Sequence, residues 1–467
     1  MNRLGRMLWV VCVMAACAVG MGAPRRLSTR RIRPRDIEIA TGIDRSPPYS
    51  EASGSTEPPV EPTSVLSSGD VGTRPPTTGI TVRVMDVRSI PDDVVAAWSA
   101  LEARALEPNA YLSPHFILPS VRHVDPNAPL VALLIEREPA AENNARQLVG
   151  VMVAQAVVGT RSFPVPHLLA YTSQFTFLTG ILLDRDHAEA ALEALFDHMG
   201  QRKWEWHGIE FDGVWSDGAT FDLFQRISAR RKLRLQVWNE KNRAVLRPYL
   251  DRDRIEAIEA SESRNLRRRL KRLSEQGEVG WSIVAKGGIP DVSTEAFLDL
   301  EHRGWKGENG SSLRANAASE AFFREAVARF GAEERAVFVE LQLDGKVVAT
   351  TSNFVSGNSG FAFKIGWHPE LANLSPGRLT ELALLQNLYS HEAVSGLQFW
   401  DSGAPEGSYI EKLWPGRRQL VTMGIGCSLV GSSALAAVQT ARTIKRQLRA
   451  RWPSADSASA PKPTPTA

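Results

Sequence analysis

Residues 336–367 read AVFVELQLDGKVVATTSNFVSGNSGFAFKIGW, and their punctuation sets the fold class. AVFVELQ (336–342) is rich in β-branched and aromatic residues. Asp344-Gly345 follows it, the dipeptide that a two-residue type I′ hairpin turn favours. KVVATTSNF (346–354) then returns as the second strand. SGNSG (356–360) supplies the next turn, and FAFKIGW (361–367) a third antiparallel strand. Beyond a loop stands Ser375-Pro376-Gly377-Arg378. From Arg378 to His391, Leu379, Leu382, Ala383, Leu385 and Leu388 recur mostly at helical spacing. LQFWD (397–401) reads as a short buried strand, parallel to the third. Hairpin, strand, loop, helix and strand together predict an α/β (α+β) unit, a mixed and mostly antiparallel sheet flanked by helices.

The first half repeats this order. LVALLIE (130–136) and LVGVMVAQAV (148–157) match the hairpin, 175–183 supplies an apolar run, 187–199 a helix, and IEFD (209–212) a strand ending in an acid. IEFD-Gly213 echoes LQFWD-Ser402-Gly403. A repeat this much longer than the roughly 20–50 residues of solenoid units points to a duplicated domain. The expected organisation is an apolar segment (1–24), a Pro/Ser-rich linker (25–79), a first domain (80–255), a basic helical connector (256–290), a second, catalytic domain (291–450) and a tail (451–467).

The whole chain agrees with this frame. Its 467 residues suit two domains plus tails, and 43% hydrophobic with 23% charged content is ordinary for a globular protein. A formal net charge of +3 gives no general argument for nucleic acid. Three cysteines, two of them (Cys12 and Cys17) in the N-terminal apolar stretch, exclude a disulfide framework, and no Cys/His spacing suggests a metal. MLWVVCVMAACAVGM (7–21) lies between Arg3, Arg6 and Arg25, Arg26, the layout of a secretory signal or short anchor, and is shorter than the about 20 residues of a membrane span. It reads equally as the product of an upstream start.

Candidate chemistry gathers in the second half. The start of a helix offers unpaired N–H groups and a favourable dipole to an anion. Ser375, Pro376, Gly377 and Arg378 have the ingredients for a diphosphate: a glycine, a preset turn and a cation. An ordinary turn with Ser375 as N-cap is the plainer reading. Asp401, at the strand's carboxyl edge, is placed either to meet an incoming amine or to cap the turn that Ser402-Gly403 begins. Tyr409 and Lys412 follow in GSYIEKLWPG as a candidate acid and anion ligand, or as a core aromatic and a solvent-facing charge. Trp305, Lys306 and Lys364 are candidates for the substrate pocket; His302 and His368 have no acid partner in a motif. No nucleophile elbow and no Walker loop occurs. SRNLRRRLKRLSEQG (263–277) carries Leu266, Leu270 and Leu273 on one stripe under a cationic surface, which reads as a solvated helix or as a wall for an anionic ligand.

The runs GWKGENGSS (304–312), FAFKIGW (361–367), SPGRL (375–379) and LQFWDSGAPEGSYIEKLW (397–414), with FILP (116–119) and RNLRRRLKRL (264–273) before them, resemble the GNAT domain of the CelD-like proteins of cellulose biosynthesis, relatives of the FemAB-type aminoacyltransferases. The resemblance covers roughly 90–425. It implies tandem GNAT-like domains, acyl-CoA (acetyl-CoA) as co-substrate and no metal. By it, Ser375, Pro376, Gly377 and Arg378 meet the pyrophosphate, Asp401, Tyr409 and Lys412 fall on the catalytic pattern, and Trp305 and Lys306 on its earlier part. The loop departs from the better-known Gln/Arg-x-x-Gly-x-Gly/Ala form, keeping one glycine.

The leading expectation is therefore a cytoplasmic N-acyltransferase acting on a small-molecule or glycan amine, with the N-terminal segment offering contact with the inner face of a membrane. The alternatives are a Fem-like enzyme using aminoacyl-tRNA, its 264–273 helix on the RNA, and a non-catalytic GNAT scaffold in polysaccharide or envelope assembly. Ala434, Ala437, Val438, Ala441, Ile444 and Leu448 form a terminal helical stripe beside Arg442, Lys445, Arg446 and Arg449, read as a helix packed on the body or one resting on an anionic membrane surface.

Overall fold

The computed structural model describes residues 79–138, 146–201, 205–285 and 291–451. The expectations for 1–24, 25–78 and 452–467 fall outside them. The strands are β1 (Ile80–Asp86), β2 (Leu130–Arg137), β3 (Gln147–Val157), β4 (His167–Ala170), β5 (Leu182–Leu183), β6 (Gly208–Trp215) and β7 (Arg234–Leu246), then β8 (Val279–Val284), β9 (Ala336–Leu343), β10 (Lys346–Ser356), β11 (Ser359–Trp367), β12 (Phe399–Asp401) and β13 (Gly416–Gly426). The α-helices are α1 (Asp92–Glu102), α2 (Pro114–Pro119), α3 (Ala188–Gln201), α4 (Ala219–Arg230) and α5 (Arg252–Ser274), followed by α6 (Asp291–Arg303), α7 (Trp305–Glu308), α8 (Ala317–Gly331), α9 (Pro376–Asn387) and α10 (Leu429–Arg451). Among the described residues no helix is long and apolar enough to cross a membrane.

The expected hairpin forms as its sequence dictates. Asp344 and Gly345 take φ of 50° and 72°, the doubly left-handed geometry of a type I′ turn, and Leu343 pairs with Lys346 across it. β12 runs parallel to β11, as LQFWD predicts, and β6 runs parallel to β4 in the first half. The IEFD and LQFWD echo therefore marks equivalent strands of a duplicated α/β unit. The apolar run 175–183 is not the strand that precedes the first-half helix; that strand is β4. The run instead sends Phe175 and Leu178 into a core shared with Phe297, Phe322, Phe361 and Phe363 of the second half. Its aromatic part serves that insertion, while Leu182 and Leu183 at its end pair with β3 as β5.

All strands join one sheet, in the order β1-β2-β3-β4-β6-β13-β7-β12-β11-β10-β9-β8, with β5 on the side of β3. The two halves exchange their last strands. β13, from the end of the chain, lies against β6, while β7, from the first half, lies against β12. β13 and β7 pair with each other from Gly416↔Val245 to Gly426↔Arg234, closing the junction. β8, within the stretch expected to be a connector, is the outermost strand of the second set.

Two local features shape β11. Opposite Ser352 and Asn353 stand Lys364 and Ala362, so Phe363 is an extra residue, a β-bulge. The bulge turns Phe363 and Lys364 both toward α6, while Ile365 and Trp367 approach Gly377 of α9 on the other face. At Gly366, α6 lies directly on the strand: an added Cβ would stand 2.7 Å from the Glu301 backbone nitrogen. Gly366→Ala is expected to lower stability by about 1–3 kcal/mol through overpacking, read as a fall in the denaturant midpoint. Gly396→Ala, with nothing within 4 Å of its added Cβ, is expected to change little.

Candidate functional site

β11 and β12 pair over three residues, Ser359↔Phe399, Gly360↔Trp400 and Phe361↔Asp401, and then part. The register fixes what β11 presents beyond that point. The His368 N–H donates to the Val348 carbonyl at 2.8 Å, so alternate residues back to Gly366 and Lys364 face β10. Ile365 and Trp367 turn their peptide groups to the opposite edge, where β12 has left. Trp400 holds the short paired part together: it is fully buried, and Gly360 is bare so that the indole can lie on it.

The helix start beside this gap is α9. Ser375 adopts a left-handed conformation (φ 54°, ψ 53°), and Pro376 occupies the first helical position, where its missing N–H costs nothing. The Ser375 carbonyl accepts the Arg378 and Leu379 N–H groups at 3.0 and 3.1 Å. Its hydroxyl does not cap the helix; it accepts a hydrogen bond from Arg269 of α5. Arg378 pairs with Glu262, also on α5. Pro376 is buried, and Gly377 is half-buried with the Ile365 side chain at its back. The basic helix thus lies beside the diphosphate candidate, joined to it at two points. Arg264, Arg267, Arg268, Lys271 and Arg272 recur on one exposed face of α5, and none of them has an ion-pair partner among the described residues.

The pseudo-equivalent helix start in the first half has the opposite character. Before α3, Asp184 is 1% exposed, pairs with Arg104 at 2.5 Å, and its other oxygen accepts the Asp186 N–H at 2.9 Å. An anion arriving there would meet a buried carboxylate. Of the two helix starts, the one at Ser375 has the chemistry to take an anionic group.

On the α6 face, Lys306 and Lys364 are brought together by a residue the sequence reading missed. The Glu301 carboxylate is fully buried; Oε1 lies 3.5 Å from Lys306 Nζ and 3.4 Å from Lys364 Nζ, and Oε2 accepts the Leu313 N–H at 2.7 Å. Lys306 Nζ also donates to the Ile365 carbonyl at 3.0 Å, at the open edge of β11. Burial pushes the Lys306 pKa down, Glu301 opposes the shift and Lys364 adds to it. The ring of Phe175 lies 5.5 Å from Lys364 Nζ. The signal for Glu301 was its spacing, four residues after Phe297 on the buried face of α6. The Trp305 side chain lies outside the described residues.

Asp401 sits elsewhere in the arrangement. It is fully buried, Oδ2 is 3.1 Å from Arg243 Nη1, and Oδ1 accepts the Gly403 N–H at 3.0 Å. Both oxygens are engaged, so its placement is that of a turn cap and an anchor for Arg243 rather than of a base open to an amine. Arg243 donates to the Phe177 carbonyl at 2.8 Å, and Tyr111 Oη donates to the Ala362 carbonyl at 3.3 Å. Lys412 faces solvent. His302 bonds Ser312, and His368 lies 3.5 Å from Arg303.

Tyr409 is 43% exposed, in a short 3-10 turn (Tyr409–Lys412). Desolvation around its phenol and the nearby Glu381 carboxyl raise its pKa. Glu381 on α9, also missed by sequence reasoning, is buried and pushed up to about 7 by desolvation, against a hydrogen bond from Trp414 Nε1 at 3.3 Å. The folded chain therefore holds a proton on Glu381 that the unfolded chain releases at lower pH. Stability is lost as pH rises from the unfolded value toward 7, and the loss is complete above it. Glu381→Gln is expected to remove that loss, making the variant more stable than wild type above pH 7 by on the order of 3 kcal/mol, with the gap closing in denaturant titrations near pH 4. Equal pH dependence in the two proteins would contradict this account of Glu381.

Among the described residues no group of three or more His, Cys, Asp or Glu side chains is arranged to hold a metal ion. No match was found among curated proteins. The fold has likenesses among solved structures. The C-terminal domain of a putative lysylphosphatidylglycerol synthetase from Agrobacterium fabrum shares 11% identity and a TM-score of 0.43, over 76% of this chain and 96% of that one. FemX shares 11% and 0.46, over 73% and 96%. A tandem GNAT protein from the clavulanic acid biosynthesis pathway shares 14% and 0.35, over 74% and 98%. Likenesses of this size say nothing of what this chain acts on. Residues 260–406, from α5 through β12, match the profile of the family described as acetyltransferase (GNAT) domain, a stretch that contains the Ser375 helix start, the β11–β12 gap and the Glu301 cluster.

Proposed function

We propose that the chain is an N-acyltransferase that moves an acyl group, acetyl in the simplest case, from acyl-CoA to an amine by direct transfer. The observation that carries this reading is the parting of β11 from β12 beside a helix start contacted by Arg269. The diphosphate of the donor lies at Ser375–Arg378, and its thioester reaches the open edge of β11. The free amine attacks the thioester carbon, a C–N bond forms, and the oxyanion is held by the outward N–H groups of Ile365 or Trp367. The C–S bond then breaks, Tyr409 gives its proton to the departing thiolate, and the phenolate so formed takes up the proton that the acylated nitrogen loses. Asp401 acts indirectly, fixing Arg243 at the base of the gap. The reaction is placed in the cytoplasm, where acyl-CoA is made, and the CelD-like group is the family assignment that goes with it.

One observation favours a second reading. Arg264, Arg267, Arg268, Lys271 and Arg272 make a ridge of five cations on α5 with no ion-pair partner among the described residues, more than the diphosphate alone needs. Such a ridge suits the backbone of an aminoacyl-tRNA donor.

Calorimetric titration with acetyl-CoA separates the two. Under the leading reading the wild type binds, Arg269→Glu weakens binding by about tenfold or more, and Lys445→Glu, an equal charge change on the exposed face of α10, does not. No acetyl-CoA binding by the folded wild type, together with a salt-sensitive affinity for tRNA, would replace it with the second.

A further inference from the structure

Glu301, Lys306 and Lys364 form a cluster with unequal charge. Two ammonium groups share one carboxylate oxygen, at 3.5 and 3.4 Å, while the other carboxylate oxygen is taken by the Leu313 N–H. The side chains of the lysines are 17% and 16% exposed and that of Glu301 is 0% exposed. Withdrawing charge from water is costly unless it is matched, and here one positive charge is left over. It is not diffuse. Lys306 Nζ rests on the Ile365 carbonyl, at the strand edge that β12 leaves open. Lys364 is aimed by the Phe363 bulge and steadied by the ring of Phe175. Each ammonium has three donor positions; the contacts named leave Lys364 with two unused and Lys306 with one.

We propose that this cluster receives a carboxylate carried by one of the two substrates. A carboxylate supplies one negative charge and four acceptor positions, which matches the surplus charge and the spare donors together. This rests on the β11–β12 gap being the acyl-transfer cleft. Two sources present the same chemistry: a dicarboxylic acyl group on the donor, or an amino acid, or compound ending in one, as the acceptor. In either case the carboxylate docks on the α6 face of β11, and the reacting carbon lies at its edge. The bound group completes the charge balance of the cluster, so its binding and the ordering of Lys364 are coupled.

Binding measurements in two independent arms test this. In the donor arm, succinyl-CoA is compared with butyryl-CoA by calorimetry, with acetyl-CoA as the reference for the donor site itself. In the acceptor arm, phenylalanine is compared with phenethylamine, and glycine with methylamine, by NMR titration without any donor. The expected result is that the carboxylate-bearing member binds at least about tenfold tighter in one of the arms, the size of a charge-assisted hydrogen bond. Lys364→Met, which leaves Glu301 and Lys306 as a balanced pair, is expected to bring that ratio close to one, and Lys364→Arg to retain it. Absence of discrimination in both arms overturns the inference. Loss of acetyl-CoA binding alone overturns the donor assignment, and the acceptor arm then decides the carboxylate site. Should Lys364→Met not fold, the paired comparisons on the wild type carry the test.

Discussion

The antiparallel ladder between β7 and β13 is the contact on which the rest of the molecule depends. It runs from Gly416↔Val245 to Gly426↔Arg234, and each of its strands belongs by sequence to one half and pairs outward with the other. The strands of the two repeats are thereby joined into one sheet. The ladder also delivers Arg243 from β7 to Asp401 of β12, two residues 158 positions apart in the chain. β12 is three residues long, and a strand so short cannot hold its place alone. Its position comes from β7 on one side, β11 on the other and the Trp400 indole beneath. The gap beside β11 exists because β12 is anchored there and ends there.

Local structure was legible wherever it is set by nearby residues. The Asp344-Gly345 turn, the three strands around it, the helix after SPGR and the parallel strand LQFWD each follow from spacing and turn chemistry, and each forms. The strand exchange was not legible, because nothing in the pattern of β7 or β13 says which neighbour it takes; that is settled by pairing over long sequence distances. The run 175–183 misled for a related reason. Its aromatics are hydrophobic to serve the neighbouring half's core, and period and composition cannot tell that from a strand.

The candidate site divides in the same way. The helix start at Ser375 and the lysines at 306 and 364 stand out in the sequence by residue type. What joins them does not. Arg269 is one cation among many on α5 until the fold sets it against Ser375. Glu301 looks like a polar helix residue until α6 is laid on Gly366, which buries its carboxylate between two ammonium groups. Asp401 drew attention as an acid at a strand's end, yet the turn it caps and the arginine it holds account for both its oxygens.

Duplication gives the electrostatics an internal control. The two helix starts, before α3 and before α9, occupy the same place in the same unit, so the helix dipole is common to both, while the left-handed residue Ser375 belongs to the second alone. They differ in side chains. The first encloses Asp184, a buried carboxylate paired with Arg104. The second has Arg269 on its serine, Arg378 matched by Glu262, and a ridge of exposed cations on the adjoining helix. A dipole alone is worth about 0.3–1 kcal/mol to an anion, too little to gather a dilute ligand. The added guanidinium groups give one of the two helix starts a positive character that the dipole alone does not supply. The surplus ammonium at Glu301 lies across β11 from it, on the opposite face. A substrate threaded through the gap therefore passes from one positive region to another with the open edge of the strand between them. That layout suits a donor with phosphates at one end and a reacting group near a carboxylate at the other.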